Sequence, residues 1–147
     1  MSRFPLFPHP HPTPADERAA IVADPGFGTR FTDHMALATW TAGTGWADRR
    51  VTAYAPFTLD PATAVLHYAQ EAFEGLKAFA HPDGSVWAFR PERNEARLAD
   101  SCARMGLPRL DEGDMLASIT ALVNADRAWV PTGGEASLYL RPFLFAS

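Results

Sequence analysis

The run ASLYLRPFLFAS (136–147) is strongly apolar, and one arginine, Arg141, stands near its centre. Taking an unpaired guanidinium out of water costs several kcal/mol or more, so Arg141 is expected to face an anion or a wet cleft. A strand puts Tyr139, two residues earlier, on the same side as Arg141. A phenol beside a planar guanidinium fork makes a carboxylate-holding pair, with two parallel N–H donors for one anion. The residues leave a second reading open, a structural arginine paired to an internal Asp or Glu.

Arg97 is the next candidate. It lies beside the apolar stripe of the helix that Pro91 opens, and with Arg93 it forms an i, i+4 basic pair. Such a pair can hold a phosphate; physics alone favours a solvated helix face. Tyr68 and Phe73 flank a helix-to-strand junction where aromatics wall an apolar pocket or fill ordinary core. Lysine occurs once, at Lys77. Between Phe73 and Phe79 on a strand face it could act as a nucleophile with a lowered pKa. The favoured reading is a stem lying on apolar surface with its ammonium in water. His9 and His11 have no further ligand nearby and read as part of a solvated tail, with no metal site. P-loop, dinucleotide and HExxH signatures are all missing from the sequence.

These residues need a scaffold, and 147 residues suffice for one domain with a real core. Hydrophobic content of 47% with 20% charged residues is ordinary for a soluble globular protein. A net charge of −4 disfavours nonspecific nucleic-acid binding. No apolar run approaches the roughly 20 residues of a membrane span. A single cysteine, Cys102, excludes an internal disulfide and makes a reducing, cytoplasmic setting the default.

The elements follow from punctuation and period. Residues 1–15 are expected to be a Pro-rich extended segment, a mobile arm or a strap over a neighbour, and residues 16–23 form a short helix closed by Asp24-Pro25-Gly26. Strands are expected over 31–42 and 51–56, with a loop at 43–50 between them. Asp60 is expected to cap a helix over 62–72, with Pro61 at its first position. His81-Pro82-Asp83-Gly84 predicts a hairpin between strands 73–80 and 85–90. On the first of these, Glu74, Leu76 and Ala78 share one face, while Phe73, Gly75, Lys77 and Phe79 share the other. The helix opened by Pro91 buries Leu98, Cys102 and Met105, pairs Asp100 with Arg104, and ends at Gly106 and Pro108. A second helix over 112–127 buries Met115, Ile119, Leu122 and Ala125. Pro131-Thr132-Gly133-Gly134 then turns into the final strand. The fold class is α+β. A core-grade strand at the very end reads as a chain cut in the middle of a fold.

In this order, FTDHMALATW (31–40), LHYAQEAFEGLKAF (66–79), FRPERNEARLADSCARMGLP (89–108) and SLYLRPFLF (137–145) resemble the amino-terminal domain of branched-chain amino acid aminotransferases. These are pyridoxal-phosphate enzymes of fold-type IV. FTDHM points to the branched-chain group rather than to D-amino acid aminotransferases or aminodeoxychorismate lyases. The resemblance implies the small domain of that fold over residues 16–147, an antiparallel or mixed sheet with helices packed on it. It implies transamination of leucine, isoleucine and valine with 2-oxoglutarate, giving branched 2-oxo acids and glutamate.

By the same resemblance, Arg97 matches the arginine that binds the phosphate of pyridoxal 5'-phosphate, reversing the weight given to the solvated face. Tyr68 matches a substrate-placing tyrosine, and Phe73 an aromatic of the side-chain pocket. Arg141 matches the arginine for the distal carboxylate of glutamate and 2-oxoglutarate, with Tyr139 as its neighbour. Phe27 aligns with another pocket aromatic. The lysine that forms the Schiff base lies in the family's larger carboxy-terminal domain and is not Lys77. The chain is therefore expected to lack that domain, to hold no catalytic residue, to be inactive alone, and to work within a homodimer. The alternatives are a stand-alone 2-oxo acid binding module, another fold-type IV enzyme, and an enzyme using Lys77.

Overall fold

The computed structural model describes residues 2–133 and 136–147. The elements run α1 (Ala15–Ala23), β1 (His34–Thr41), β2 (Gly45–Ala53), α2 (Ala64–Tyr68), β3 (Glu71–Phe73), β4 (Leu76–Ala80), β5 (Val86–Ala88), α3 (Pro91–Arg104), α4 (Asp114–Ala125), a 3-10 turn (Arg127–Trp129), β6 (Leu138–Leu140) and β7 (Phe143–Phe145). All strand pairs are antiparallel: β1 with β2, β3 with β7, and β4 with both β5 and β6. Helices mixed with antiparallel strands make this an α+β fold, as expected.

The core lies between the inner strand faces and the two longer helices. Ala72, Leu76, Ala78 and Leu140 from the strands meet Leu98 and Cys102 of α3 and Met115 and Val123 of α4, closed by Leu107 and Val130. Removing such side chains from water is the main stabilising term. The inner face of β4 carries Leu76 and Ala78, as alternation demands. Around Cys102, burial pushes the thiol up, which leaves it a core residue rather than a nucleophile.

Two strand breaks define the middle of the molecule. Leu76 pairs with Leu140 and Phe73 with Phe143, so the register runs through the breaks unchanged. Glu74 and Gly75 therefore stand across from Pro142 and Arg141. The Glu74 N–H donates to the Pro142 carbonyl at 2.8 Å. Pro142 has no N–H to return, and the ladder is interrupted there. The single strands expected over 73–80 and within 136–147 are thus each interrupted.

Other expectations need correction. Residues 45–50 are strand, not loop: Thr41–Gly45 closes a hairpin, and GWADRR belongs to β2. Asp48 adopts φ 57 where the register shifts opposite Leu37 and Thr39, the signature of a bulge. Helix 62–72 shrinks to α2, with Thr63 rather than Asp60 at the position before its first residue. Asp60 instead accepts from the Ala62 N–H in a turn. Ala69 takes a left-handed conformation that ends α2, and pairing of β3 with β7 overrides the helical propensity of the next residues. Met105 is exposed, and Leu107 takes the buried place assigned to it. Asp100 pairs with Arg109, not Arg104. The hairpin at 81–84 forms as expected, with Gly84 at φ 82. Of the expected turn at 131–134, Gly134 lies outside the described residues.

The Pro-rich segment lies along β2. The Phe7 N–H donates to the Val51 carbonyl, the Val51 N–H donates to the Pro5 carbonyl, and Phe4 is buried. Two residues of the FTDHM run fasten it further. Asp33 accepts from the Thr13 N–H and hydroxyl and from the Trp129 ring N–H. His34 sits 2.6 Å from the Asp126 carboxylate and accepts the His9 N–H on Nε2.

Candidate functional site

The outer face of the β4–β6 and β3–β7 ladder holds most of the singled-out residues. Alternation places Phe73, Gly75 and Lys77 on one strand opposite Phe143, Arg141 and Tyr139 on the other. Arg141 lies over the Phe73 ring with its guanidinium carbon 4.6 Å from the centroid. Its Nε and Nη2 donate to the Tyr139 hydroxyl at 3.2 and 2.8 Å. Phe27, carried by a loop with Gly26 and Gly28 at positive φ, packs edge-on against Tyr139 at 5.5 Å. Phe27, Phe73, Tyr139 and Arg141 thus form one exposed aromatic patch around a cation.

The electrostatics of the patch are unbalanced. Among the described residues no carboxylate lies within ion-pair distance of Arg141. Its partners are a neutral phenol and the face of a ring, which orient a guanidinium without neutralising it. Arg141 is exposed, and among the described residues no internal acid pairs with it, as a purely structural arginine would require.

Arg97 stands differently. It reaches the strand from α3 on the Glu74 side, whereas Arg141 lies on the Gly75 side. Its Nε and Nη2 donate to the two Glu74 oxygens at 2.5 and 2.7 Å. Glu74 is buried and also accepts from Asn94 at 2.8 Å. The Arg97 bond holds the Glu74 carboxyl below its ordinary range, burial opposes this, and Asn94 adds to it. The Arg97 side chain remains 70% exposed, and its Nη1 has no hydrogen-bond partner among the described residues. A phosphate could be held by that outward edge while the inner edge keeps Glu74.

Tyr68 is not brought into the patch. It ends α2, is 79% exposed, and has the His67 ring as its aromatic neighbour. Lys77 is exposed on the patch face directly across from Tyr139, with no ion-pair partner among the described residues. A separate concavity is walled by Arg3, Arg49, Asp111, Glu112 and Asp114. Its arginines are engaged by Asp111 and Asp114, so it is an ion-pair seam rather than a ligand cleft. No group of three or more metal-ligating side chains occurs among the described residues.

Sequence reasoning missed Glu74 as the partner of Arg97. The signal was present: a carboxylate alternating with Leu76 and Ala78 on a buried face requires a cation.

Comparison with known proteins decides what kind of chain this is. It is 57% identical over 143 residues to a probable branched-chain-amino-acid aminotransferase of Streptomyces coelicolor, covering 97% of this chain and 40% of that protein. It is 46% identical over 138 residues to a branched-chain-amino-acid aminotransferase of Mycobacterium tuberculosis, covering 93% of this chain and 38% of the relative. The sequence belongs to the branched-chain-amino-acid aminotransferase family. A branched-chain-amino-acid transaminase 1 of Bacillus subtilis is 48% identical over 122 residues, covering 83% of this chain and 34% of the relative. The chain thus spans some two fifths or less of these aminotransferases. No family model matches it. Among the described residues no helix is long and apolar enough to cross a membrane.

Proposed function

We propose that this chain forms the substrate-facing wall of an aminotransferase that exchanges the amino group between branched-chain L-amino acids and 2-oxoglutarate. The observation that carries this reading is Arg141, exposed among aromatic rings and partnered by groups that leave its charge unneutralised. Such a wall must accept the aliphatic side chain of leucine, isoleucine or valine and, in the other half of the exchange, the distal carboxylate of glutamate. Phe27, Phe73 and Tyr139 offer apolar surface to the first. Arg141 offers a bidentate fork to the second.

In this reading Arg97 holds the cofactor phosphate through its outward edge, and Glu74 fixes the direction of the fork. Bound pyridoxal 5'-phosphate would supply the electron sink that amino-group exchange requires. Tyr68, exposed outside the patch with His67 as its aromatic neighbour, would place substrate from the edge of a neighbouring subunit in a homodimer. A further carboxy-terminal domain would carry the Schiff-base lysine, residues 16–147 would form the small domain, and the setting would be cytoplasmic. The test is amino-group transfer by the full gene product from leucine to 2-oxoglutarate with added pyridoxal phosphate. Transfer supports the reading, and a folded product without it contradicts the reading.

The engagement of Arg97 by Glu74 favours a second reading, a 2-oxo acid binding module that takes no phosphate cofactor. Titration with pyridoxal phosphate separates the two. Cofactor binding that is lost in Arg97→Gln supports the aminotransferase. Binding of 2-oxoglutarate without any cofactor affinity supports the module.

A further inference from the structure

Gly75 occupies the point directly across from Arg141, in the middle of the aromatic face. Its φ lies outside the left-handed region, so the backbone does not call for glycine there. The surroundings do. A Cβ built on Gly75 would overlap the Tyr139 hydroxyl and lie 3.1 and 3.3 Å from two ring carbons. The phenol of Tyr139, whose direct cross-strand partner is Lys77, leans diagonally over Gly75 and fills the space a side chain would take. That lean brings its hydroxyl to the Nε and Nη2 of Arg141. Phe73 stacks under the same guanidinium from the residue two places earlier.

We infer that Gly75 is a positioning residue for dicarboxylate recognition: its missing side chain seats the Tyr139 phenol, and the seated phenol fixes the fork of Arg141. The inference rests on the proposed role of Arg141 and deepens it. It separates the two kinds of substrate, because a branched monocarboxylate uses the apolar surface of the patch and needs no fork. Any side chain at residue 75 moves the phenol outward, removes the hydroxyl that both nitrogens share, and leaves Arg141 to sample several rotamers. Gly75 contacts no distal carboxylate itself, so the effect is exerted through Tyr139.

The experiment is calorimetric binding by the full gene product of 2-oxoglutarate and of 4-methyl-2-oxopentanoate, using wild type, Gly75→Ala, Tyr139→Phe, the double variant and Arg141→Gln. Gly75→Ala is expected to weaken 2-oxoglutarate binding about tenfold, the scale of one charge-assisted hydrogen bond, and to leave the branched ligand within about twofold. On the Tyr139→Phe background the same substitution is expected to add little, because the hydroxyl it displaces is already gone. Equal loss for both ligands, or full additivity in the double variant, overturns the inference. A wild-type response from Gly75→Ala beside a clear loss in Arg141→Gln overturns it too, while leaving the functional reading intact. No loss in Arg141→Gln defeats the reading itself. Should Gly75→Ala fail to fold, folding of the double variant supports the seat, and failure of both overturns it.

Discussion

Two regions of this chain use arginine in opposite ways. Between the β1–β2 hairpin and α4, Arg3 and Arg49 converge on Asp114, whose side chain is 1% exposed, at 3.2 and 2.7 Å. Asp111 takes the other arm of Arg49. Both arginines of that seam meet carboxylates of the chain itself. On the outer face of β4 and β6, Arg141 meets a phenol and a ring and keeps its charge. A cation balanced by carboxylates is architecture; a cation held in place by neutral groups is available for an anion that arrives from outside. Arg97 combines the two, with an inner edge spent on Glu74 and an outer edge open.

Breaking the seam should have the largest effect on stability. Asp114→Ala leaves two guanidinium groups facing an empty position, and a loss of roughly 3–5 kcal/mol is expected in urea melts. Glu74→Gln should cost less, roughly 1–3 kcal/mol, because an amide keeps some of the hydrogen bonds. This second variant also changes the response to acid. The folded-state value of Glu74 lies below the ordinary 4.5, so its stabilisation is fully present above about that pH and is lost as pH falls through the depressed value. Acid titration of the melt should show this loss in the wild type and a shallower slope in Glu74→Gln. Neutralising the open region should be nearly silent in stability: Arg141→Gln and Lys77→Met are each expected to stay within about 0.5 kcal/mol of wild type. A large loss from either would dissolve the contrast between the regions.

Much of this arrangement could be read from residue order, though unevenly. Period-2 alternation put Leu76 and Ala78 on one face and Phe73 and Lys77 on the other, and the His81–Gly84 turn gave the hairpin. The same alternation set Tyr139 beside Arg141. What stayed hidden was long-range. LHYAQEAF carries helix-forming residues, and only pairing with Phe143–Phe145 makes part of it strand. GWADRR looks like a loop until Arg49 finds Asp114, 65 residues away. The i, i+4 pair of Arg93 and Arg97 gave no hint that a carboxylate 23 residues earlier would occupy the fork. Met105 fits the buried stripe by spacing, but the helix ends at Arg104 and the chain turns away. Local periodicity therefore reports faces, while charge partners depend on the tertiary fold.

The central claim is that Arg141 is reserved for a carboxylate brought by substrate. Its most direct test compares binding of 2-oxoglutarate and 4-methyl-2-oxopentanoate to the full gene product and to its Arg141→Gln variant. A loss of about a hundredfold for the dicarboxylate, with the branched ligand within about twofold, is the predicted result, on the scale of a charge-assisted bidentate contact. Unchanged 2-oxoglutarate affinity in a folded Arg141→Gln protein would contradict it.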